Sequence, residues 1–238
     1  RSSEYLPSVW FRMNFQAAWF SSSILIAAWL LLSILLFACA RPAWRSMQKH
    51  HSASILSALI LTTAWCLNAM TDEGQLAQMS YHLLAMNLVA LMIGAPAALW
   101  LGSALLLPYL LLFNGGDGYA YPVNALALLL PPLIVNQLSC RLVNRLPANI
   151  FIFIFVNGFI ASAVGMMLTG LVLVSILDIS HAFPTSVLWT TAFPIFILIA
   201  WAEAFLSGIT TAIFIALRPQ WINTFDDNRY LKSSNKIW

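Results

Sequence analysis

Hydrophobic positions dominate this chain and fall into long continuous runs with few polar interruptions. A helix needs about 20 consecutive apolar residues to cross a bilayer at 1.5 Å per residue. Most of the runs approach or exceed that length, which predicts seven spans and an all-α, polytopic transmembrane helical bundle. The predicted spans lie near residues 17–40, 53–71, 81–95, 96–113, 122–140, 149–177 and 187–217.

The third and fourth runs are short, and Gly94-Ala95-Pro96 joins them. Glycine and proline favour a sharp change of chain direction at this point. The two runs therefore form either a tight helical hairpin or one partly re-entrant unit, and hydrophobic periodicity does not distinguish these alternatives. On a helix over this stretch, Ser80 supplies the cap, and Met79, His82 and Met86 share one face.

The composition agrees with a membrane protein. Hydrophobic residues make up 61% of the 238 residues and charged residues 8%, whereas soluble domains carry about 25% charged residues. The sequence contains no G-x-x-x-x-G-K-[ST] phosphate loop, so the chain is not expected to use ATP by itself. H-E-x-x-H and G-x-S-x-G are also absent. Membrane lipid is an expected partner and nucleic acid is not, because the basic clusters are small and flank the spans.

Lysine and arginine predict the orientation of the bundle. With seven spans, nine basic residues fall on one side, and only Arg1 and Arg12 fall on the other. The positive-inside rule then places the N-terminus outside and the C-terminus in the cytoplasm. The nine residues are Arg41, Arg45, Lys49, Arg141, Arg145, Arg218, Arg229, Lys232 and Lys236.

Polar side chains at the outer ends of apolar runs mark candidate functional positions, since such residues are rare in membrane spans. His82 lies at the start of the third run, and Asn124 lies at the same level in the fifth. A neutral imidazole near methionine thioethers suits a borderline or soft transition metal. The alternative is a histidine that only hydrogen-bonds a neighbouring helix, with methionine as packing filler.

Two features of the last spans concern the interior of the bundle. Glu203, followed on its helix face by Ser207, is either a polar clamp between helices or a charge that lines an ion path. Residues 158–169 carry small side chains on one face, which lets helix backbones approach closely. Their partner helix lies in this chain or in another subunit, and we expect it in this chain. The small residues are Gly158, Ser162, Gly165 and Thr169.

Four stretches carry a family resemblance. Residues 80–96 contain Ser-Tyr-His-Leu and end in Ile-Gly-Ala-Pro, residues 114–126 contain Asn-Gly-Gly-Asp-Gly and Asn-Ala-Leu, and residues 193–208 contain Phe-Pro-Ile-Phe and Ala-Glu-Ala. In this order they resemble the CbiM/NikM family, the membrane substrate-binding components of cobalt and nickel transporters of the energy-coupling-factor type. Residues 218–231 are similar to the ending Arg-Pro-x-Trp-x-x-Thr-Phe-Asp-Asp-x-Arg-Tyr-Leu of a less characterised bacterial branch.

The resemblance implies a set of metal ligands. The family holds its metal with the amine of the starting methionine, a histidine at the second position and the histidine of a Ser-Gly-His-Leu run. These correspond here to Met13, Asn14 and His82, with asparagine in place of the second-position histidine. Asn124 is a weaker candidate at the same level.

The same comparison divides the chain into three parts. Residues 1–12 form an N-terminal extension, which is non-native if the natural chain begins at Met13. Residues 13–217 form the CbiM-like transmembrane domain, and residues 218–238 form a cytoplasmic tail.

The resemblance also implies a function. We expect a substrate-capture subunit of an energy-coupling-factor ABC transporter in the bacterial inner membrane, with cobalt or nickel as cargo and a link to cobalamin biosynthesis. Its expected partners are a coupling membrane subunit and separate ATPase subunits. No permanent cofactor and no enzymatic activity are expected, and a haem protein would need a second membrane histidine at matched depth. The alternative, motivated by Asn14, is an accessory or scaffold subunit that kept the fold and lost the metal site.

Overall fold

The computed structural model describes residues 15–70, 80–113, 118–181 and 183–230. The apolar runs form helices, because a backbone in lipid must satisfy its polar groups within the segment. Within the described ranges, five helices are long and apolar enough to cross a membrane. The helices are α1 (Ser22–Lys49), α2 (His51–Cys66), α3 (Met86–Ile93), α4 (Ala95–Phe113), α5 (Tyr121–Val143), α6 (Ile150–Ile179), α7 (Thr185–Leu217) and the short α8 (Asp227–Tyr230).

Shorter elements interrupt or flank these helices. Two 3₁₀ turns lie outside them, at Ala17–Trp19 and Pro219–Trp221. The N-terminal parts of α6 and α7 are π-helical over Phe153–Ile160 and Leu188–Ala192. The five spanning candidates are α1, α4, α5, α6 and α7, whereas α2 is a shorter apolar helix.

A small β-hairpin departs from the expected all-helical pattern. Strands β1 (Asn68–Met70) and β2 (Ser80–His82) pair antiparallel, with Asn68 opposite His82. The helix expected from residue 81 is therefore wrong in its start, since α3 begins only at Met86. Ser80 lies in the strand and does not cap a helix. The helical face shared by Met79, His82 and Met86 is also wrong, because His82 is in β2; Met79 itself lies outside the described residues.

Helix α3 has eight residues, so it is about 12 Å long. All eight side chains are buried, and α3 packs against α2, α4, α5 and α7. Backbone carbonyls at its C-terminal end accept hydrogen bonds from Ser46 of α1 and from Asn223 and Thr224, which follow α7. The end of α3 therefore lies level with the ends of α1 and α7.

The small residues of α6 face helices of this same chain, which confirms the expected partner. A Cβ added at Gly165 would lie 3.0 Å from the Cα of Pro132 in α5. A Cβ added at Gly158 would lie 3.1 Å from the Cα of Gly208 in α7. The backbones of α5, α6 and α7 come this close only because these positions carry no side chain.

Residues 218–230 fold back against one end of the bundle. The guanidinium of Arg229 donates to Asn144 Oδ1 at 2.9 Å and to the backbone oxygens of Asn144 and Leu146, both at 3.0 Å. Tyr230 stacks on Phe225 with 4.9 Å between ring centroids. These contacts place the C-terminal ends of α5 and α7 at the same end of the bundle, and the hydrogen bonds at the end of α3 place that of α1 there too. The last tail residues, 231–238, lie outside the described residues.

Candidate metal site

His82 lies at the end of β2, where the hairpin enters the bundle, and it is 4% exposed. Its Nδ1 atom is 3.1 Å from the backbone oxygen of Leu83. Because a carbonyl oxygen only accepts, Nδ1 carries the proton, and Nε2 of the neutral ring presents a lone pair. Nε2 is buried and meets no hydrogen-bond partner among the described residues. This is the arrangement of a histidine ligand whose other nitrogen is oriented by a backbone carbonyl.

Aromatic and aliphatic side chains surround the imidazole. The ring centroids of Trp65 and Tyr109 lie 6.3 Å and 5.6 Å from that of His82, and Trp65 Nε1 donates to the backbone oxygen of Leu84 at 3.1 Å. A cavity of about 210 Å³ opens beside the histidine. Its walls are Leu67, Tyr81, His82, Leu83, Ile199 and Ala202. His82 therefore lies in the wall of this cavity, although its Nε2 atom itself is buried.

Glu203 of α7 holds the backbone that follows His82. Its carboxylate accepts hydrogen bonds from the N–H groups of Leu84, at 3.0 Å, and Ala85, at 2.6 Å. Ala85 has a positive φ of 54° and precedes the first residue of α3. Two successive N–H groups that point at one carboxylate form an anion-binding nest at the start of the helix. The geometry favours the clamp interpretation of Glu203 over that of a charge exposed to an ion path.

Ser207 does not share in these hydrogen bonds. It is buried on the same face of α7, and its Oγ atom has no hydrogen-bond partner within the described part of the chain. Thr211 Oγ1, one turn further on, is in the same situation. The structural role expected for Ser207 stays a prediction.

Asn124 is fully buried at the start of α5 and fixes the beginning of the described chain. Its Oδ1 accepts from the N–H of Phe15 at 2.7 Å, and its Nδ2 donates to the oxygens of Phe15 and Ala120, both at 3.0 Å. The amide therefore positions the residue that directly follows Asn14. A direct ligand role for Asn124 stays a prediction.

The remaining expected ligands, Met13 and Asn14, lie outside the described residues, as does the loop 114–117. Among the residues that the structure describes, no group of three or more histidine, cysteine or acidic side chains is placed to hold a metal ion. The structure therefore provides one buried imidazole, and a complete site needs ligands from the chain start or from water.

A buried amide network in the middle of the bundle was not predicted from the sequence. Asn87 Nδ2 donates to the backbone oxygen of Asn157 and to Ser162 Oγ, both at 2.7 Å. Asn136 Nδ2 donates to Asn87 Oδ1 at 2.8 Å. The network joins α3, α5 and α6 across long sequence separations. Its signal in the sequence was the presence of asparagines inside apolar runs, where polar side chains need partners.

The family model for the cobalt uptake substrate-specific transmembrane region, CbiM, matches residues 14–221, which is most of the chain. The chain belongs to the CbiM family. No curated protein matches the chain in sequence.

A solved structure described as a truncated transition metal transporter shares the fold. Its TM-score is 0.70, and the alignment covers 85% of this chain and 98% of that one at 15% sequence identity. This CbiM-family chain is therefore a multi-pass membrane protein and a metal-uptake membrane component.

Proposed function

We propose that this CbiM-family protein captures a divalent transition metal, cobalt or nickel, at its outer end for uptake. The observation that carries the proposal is the buried Nε2 of His82, which has no hydrogen-bond partner in the described ranges. A buried nitrogen acceptor without a partner is unfavourable, and a metal ion removes that penalty.

The placement of the chain start supports a second ligand group. Asn124 holds both backbone groups of Phe15, and the two residues before Phe15 are Asn14 and Met13. We propose that these residues complete the site, with the oxygen of the Asn14 amide in place of an imidazole. An amide oxygen is a harder ligand than an imidazole, so the affinity for nickel is expected to be lower than that of a two-histidine site.

The transport cycle requires partners, because the chain has no ATP-binding motif. We propose that it works in the bacterial inner membrane with a coupling membrane subunit and ATPase subunits of the energy-coupling-factor type. The cluster of basic residues at one end of the bundle supports a cytoplasmic C-terminus. Residues 80–93 lead to the end of the bundle that holds the basic residues, which supports a third crossing made of β2, a short loop and α3, and hence seven crossings.

Thermal unfolding of the purified protein with and without metal tests the proposal. Cobalt or nickel is expected to raise the melting temperature of the wild type, and His82→Ala is expected to abolish this increase. His181→Ala is the matched control, since His181 is an exposed histidine outside the proposed ligand set and should leave the increase intact. Absence of stabilisation by nickel, cobalt, zinc and copper would refute the metal site.

The rival function is an accessory or scaffold subunit that retains the fold without binding metal. Asn14 in place of histidine favours it, as does the lack of a further histidine, cysteine or acidic ligand beside His82 among the described residues. This rival predicts that His82→Ala leaves growth under metal limitation unchanged. The capture function predicts a growth defect that added metal corrects.

A further inference from the structure

A cavity of about 720 Å³ lies at the basic end of the bundle, far along the chain from the His82 site. One wall is the junction between α1 and α2, and the other is the segment that follows α7. The junction brings Lys49, His50 and His51 to the cavity, and the second segment brings Arg218 and Trp221. The His82 cavity uses none of these side chains, and Trp221 also packs edge-on against Phe214 of α7, with 5.4 Å between ring centroids.

The charges around the cavity favour an anion. Lys49 and Arg218 contribute two positive charges from different elements, and Asp227 is the single carboxylate of the lining. Burial, and to a lesser extent the neighbouring charge of Lys49, lower the pKa of His50, while a hydrogen bond with the Asn223 side chain acts in the opposite direction. Nε2 of His50 is buried and has no hydrogen-bond partner in the described part of the chain.

The depth of the cavity points to the chemistry of the ligand. Lys49 ends α1, and Arg218 directly follows the last apolar turn of α7, so both lie where spans leave the hydrocarbon. The lining also contains Trp221, Ile222 and Phe225, which suit the boundary between headgroups and acyl chains. Phosphate is the abundant anion at that depth, and basic pockets between spans recognise phospholipid headgroups.

We propose that the cavity between Lys49–Ala53 and Arg218–Phe225 binds a phosphate group, held by Lys49 and Arg218. The group belongs to an anionic phospholipid or to free phosphate, which share this chemistry. The site is separate from the one proposed for the metal cargo, because the two cavities share no lining residue.

The test uses the full chain in detergent, with phosphatidylglycerol, phosphatidylcholine or inorganic phosphate as the added probe. Lipid adducts are counted by native mass spectrometry, and stabilisation is measured by thermal unfolding. The test variant is Lys49→Gln with Arg218→Gln. The matched control is Arg41→Gln with Arg45→Gln, which removes two exposed charges of the same end that do not line the cavity.

The wild type is expected to retain phosphatidylglycerol, and the test variant is expected to bind it about 25-fold more weakly, a factor of about five for each lost charge. The control variant should keep an affinity for phosphatidylglycerol within about twofold of that of the wild type, because its charges are not focused on one ligand.

The source of the phosphate group follows from a comparison of the two probes. Stabilisation by phosphatidylglycerol but not by inorganic phosphate assigns the site to lipid, and stabilisation by both probes, with competition between them, assigns it to free phosphate.

A charge-conserving variant distinguishes loss of binding from loss of folding. Lys49→Arg with Arg218→Lys is expected to keep at least part of the binding, whereas a merely misfolded glutamine variant would lose its cooperative thermal unfolding in detergent. The proposal is overturned if no phosphate-bearing probe stabilises the wild type. It is also overturned if the test and control variants lose binding equally.

Discussion

At the residue scale, Glu203 links the interior of the bundle to the position of His82. The carboxylate accepts hydrogen bonds from the N–H groups of Leu84 and Ala85, two and three residues after the histidine. Those N–H groups would otherwise be buried without acceptors, which costs about 1–3 kcal/mol for each group. Glu203 therefore fixes the non-helical backbone on which the imidazole is mounted, and it acts as a positioning residue for the proposed metal site.

Glu203→Gln is expected to destabilise the fold by about 2 kcal/mol or more, because an amide offers one acceptor and turns an N–H₂ group toward a backbone donor. The same change is expected to reduce the rise in melting temperature on adding metal, and this reduction should exceed the fall in the melting temperature of the metal-free protein. Thermal unfolding with and without nickel measures both effects.

Asp178→Asn provides the control for that experiment. It also replaces a carboxylate that accepts two hydrogen bonds, from Thr185 and Trp189, but at a half-exposed position. It should lower stability less than Glu203→Gln does and leave the metal response intact. Equal responses of the two variants to nickel would contradict the positioning role of Glu203.

At the element scale, close contacts between α5, α6 and α7 depend on positions without side chains. The tightest contact to a buried aromatic residue is at Gly170 of α6, where an added Cβ would lie 2.5 Å from the Cβ of Phe196 in α7. Phe196 is 2% exposed and packs edge-on against Tyr81 of β2. The spacing between α6 and α7 therefore also determines the position of the hairpin that carries His82.

Gly170→Ala is expected to destabilise the protein by about 1–3 kcal/mol, the usual effect of overpacking. Helix propensity alone predicts the opposite effect, an increase of about 1 kcal/mol in the free energy of unfolding when alanine replaces glycine. Gly118→Ala is the control for an added methyl group at a non-helical glycine with room for it, since its added Cβ would lie 3.7 Å from the nearest atom. Thermal unfolding in detergent separates the two cases, and a stabilised Gly170→Ala variant would contradict the packing described for α6 and α7.

At the scale of the whole molecule, the two ends of the bundle differ in charge and in the candidate binding sites that they carry. The end with the basic residues carries the phosphate cavity and the folded-back segment 218–230. The opposite end carries the beginning of α5 with Asn124 and the turn between α6 and α7, and His82 lies inward of that end, beside Ile199 and Ala202 of α7. A capture subunit that opens outward needs this second end to face the cell exterior.

Thiol labelling tests that orientation. In a chain whose Cys39, Cys66 and Cys140 are replaced by alanine, Ser180→Cys is expected to react with a membrane-impermeant maleimide in intact spheroplasts. Ala148→Cys, in the turn between α5 and α6, is expected to react only after lysis. The reverse pattern would contradict the proposed orientation, and labelling of both variants in intact spheroplasts would contradict the number of crossings between them.

Sequence alone determined the helical bundle and the family. Apolar runs of sufficient length have few alternatives to a helix in lipid, so α1, α4, α5, α6 and α7 follow from hydropathy. The small residues of α6 identified its packing face, because a helix repeats every 3.6 residues and local spacing encodes which side chains share a face. The isolated histidine in an apolar run also identified His82 as the candidate ligand.

Only the tertiary structure decided how His82 is presented. The apolar sequence of segment 80–85 favours a helix, yet the segment forms a strand and a loop. The reason is that Glu203 accepts hydrogen bonds from the N–H groups of Leu84 and Ala85, the latter 118 residues away in the chain. Asn124 likewise holds Phe15 across 109 residues, and the asparagine network joins three helices. Hydropathy and periodicity report local preferences, whereas a hydrogen-bond partner distant in the chain leaves no local pattern. That long-range pairing, rather than the apolar runs, sets the geometry of the candidate metal site.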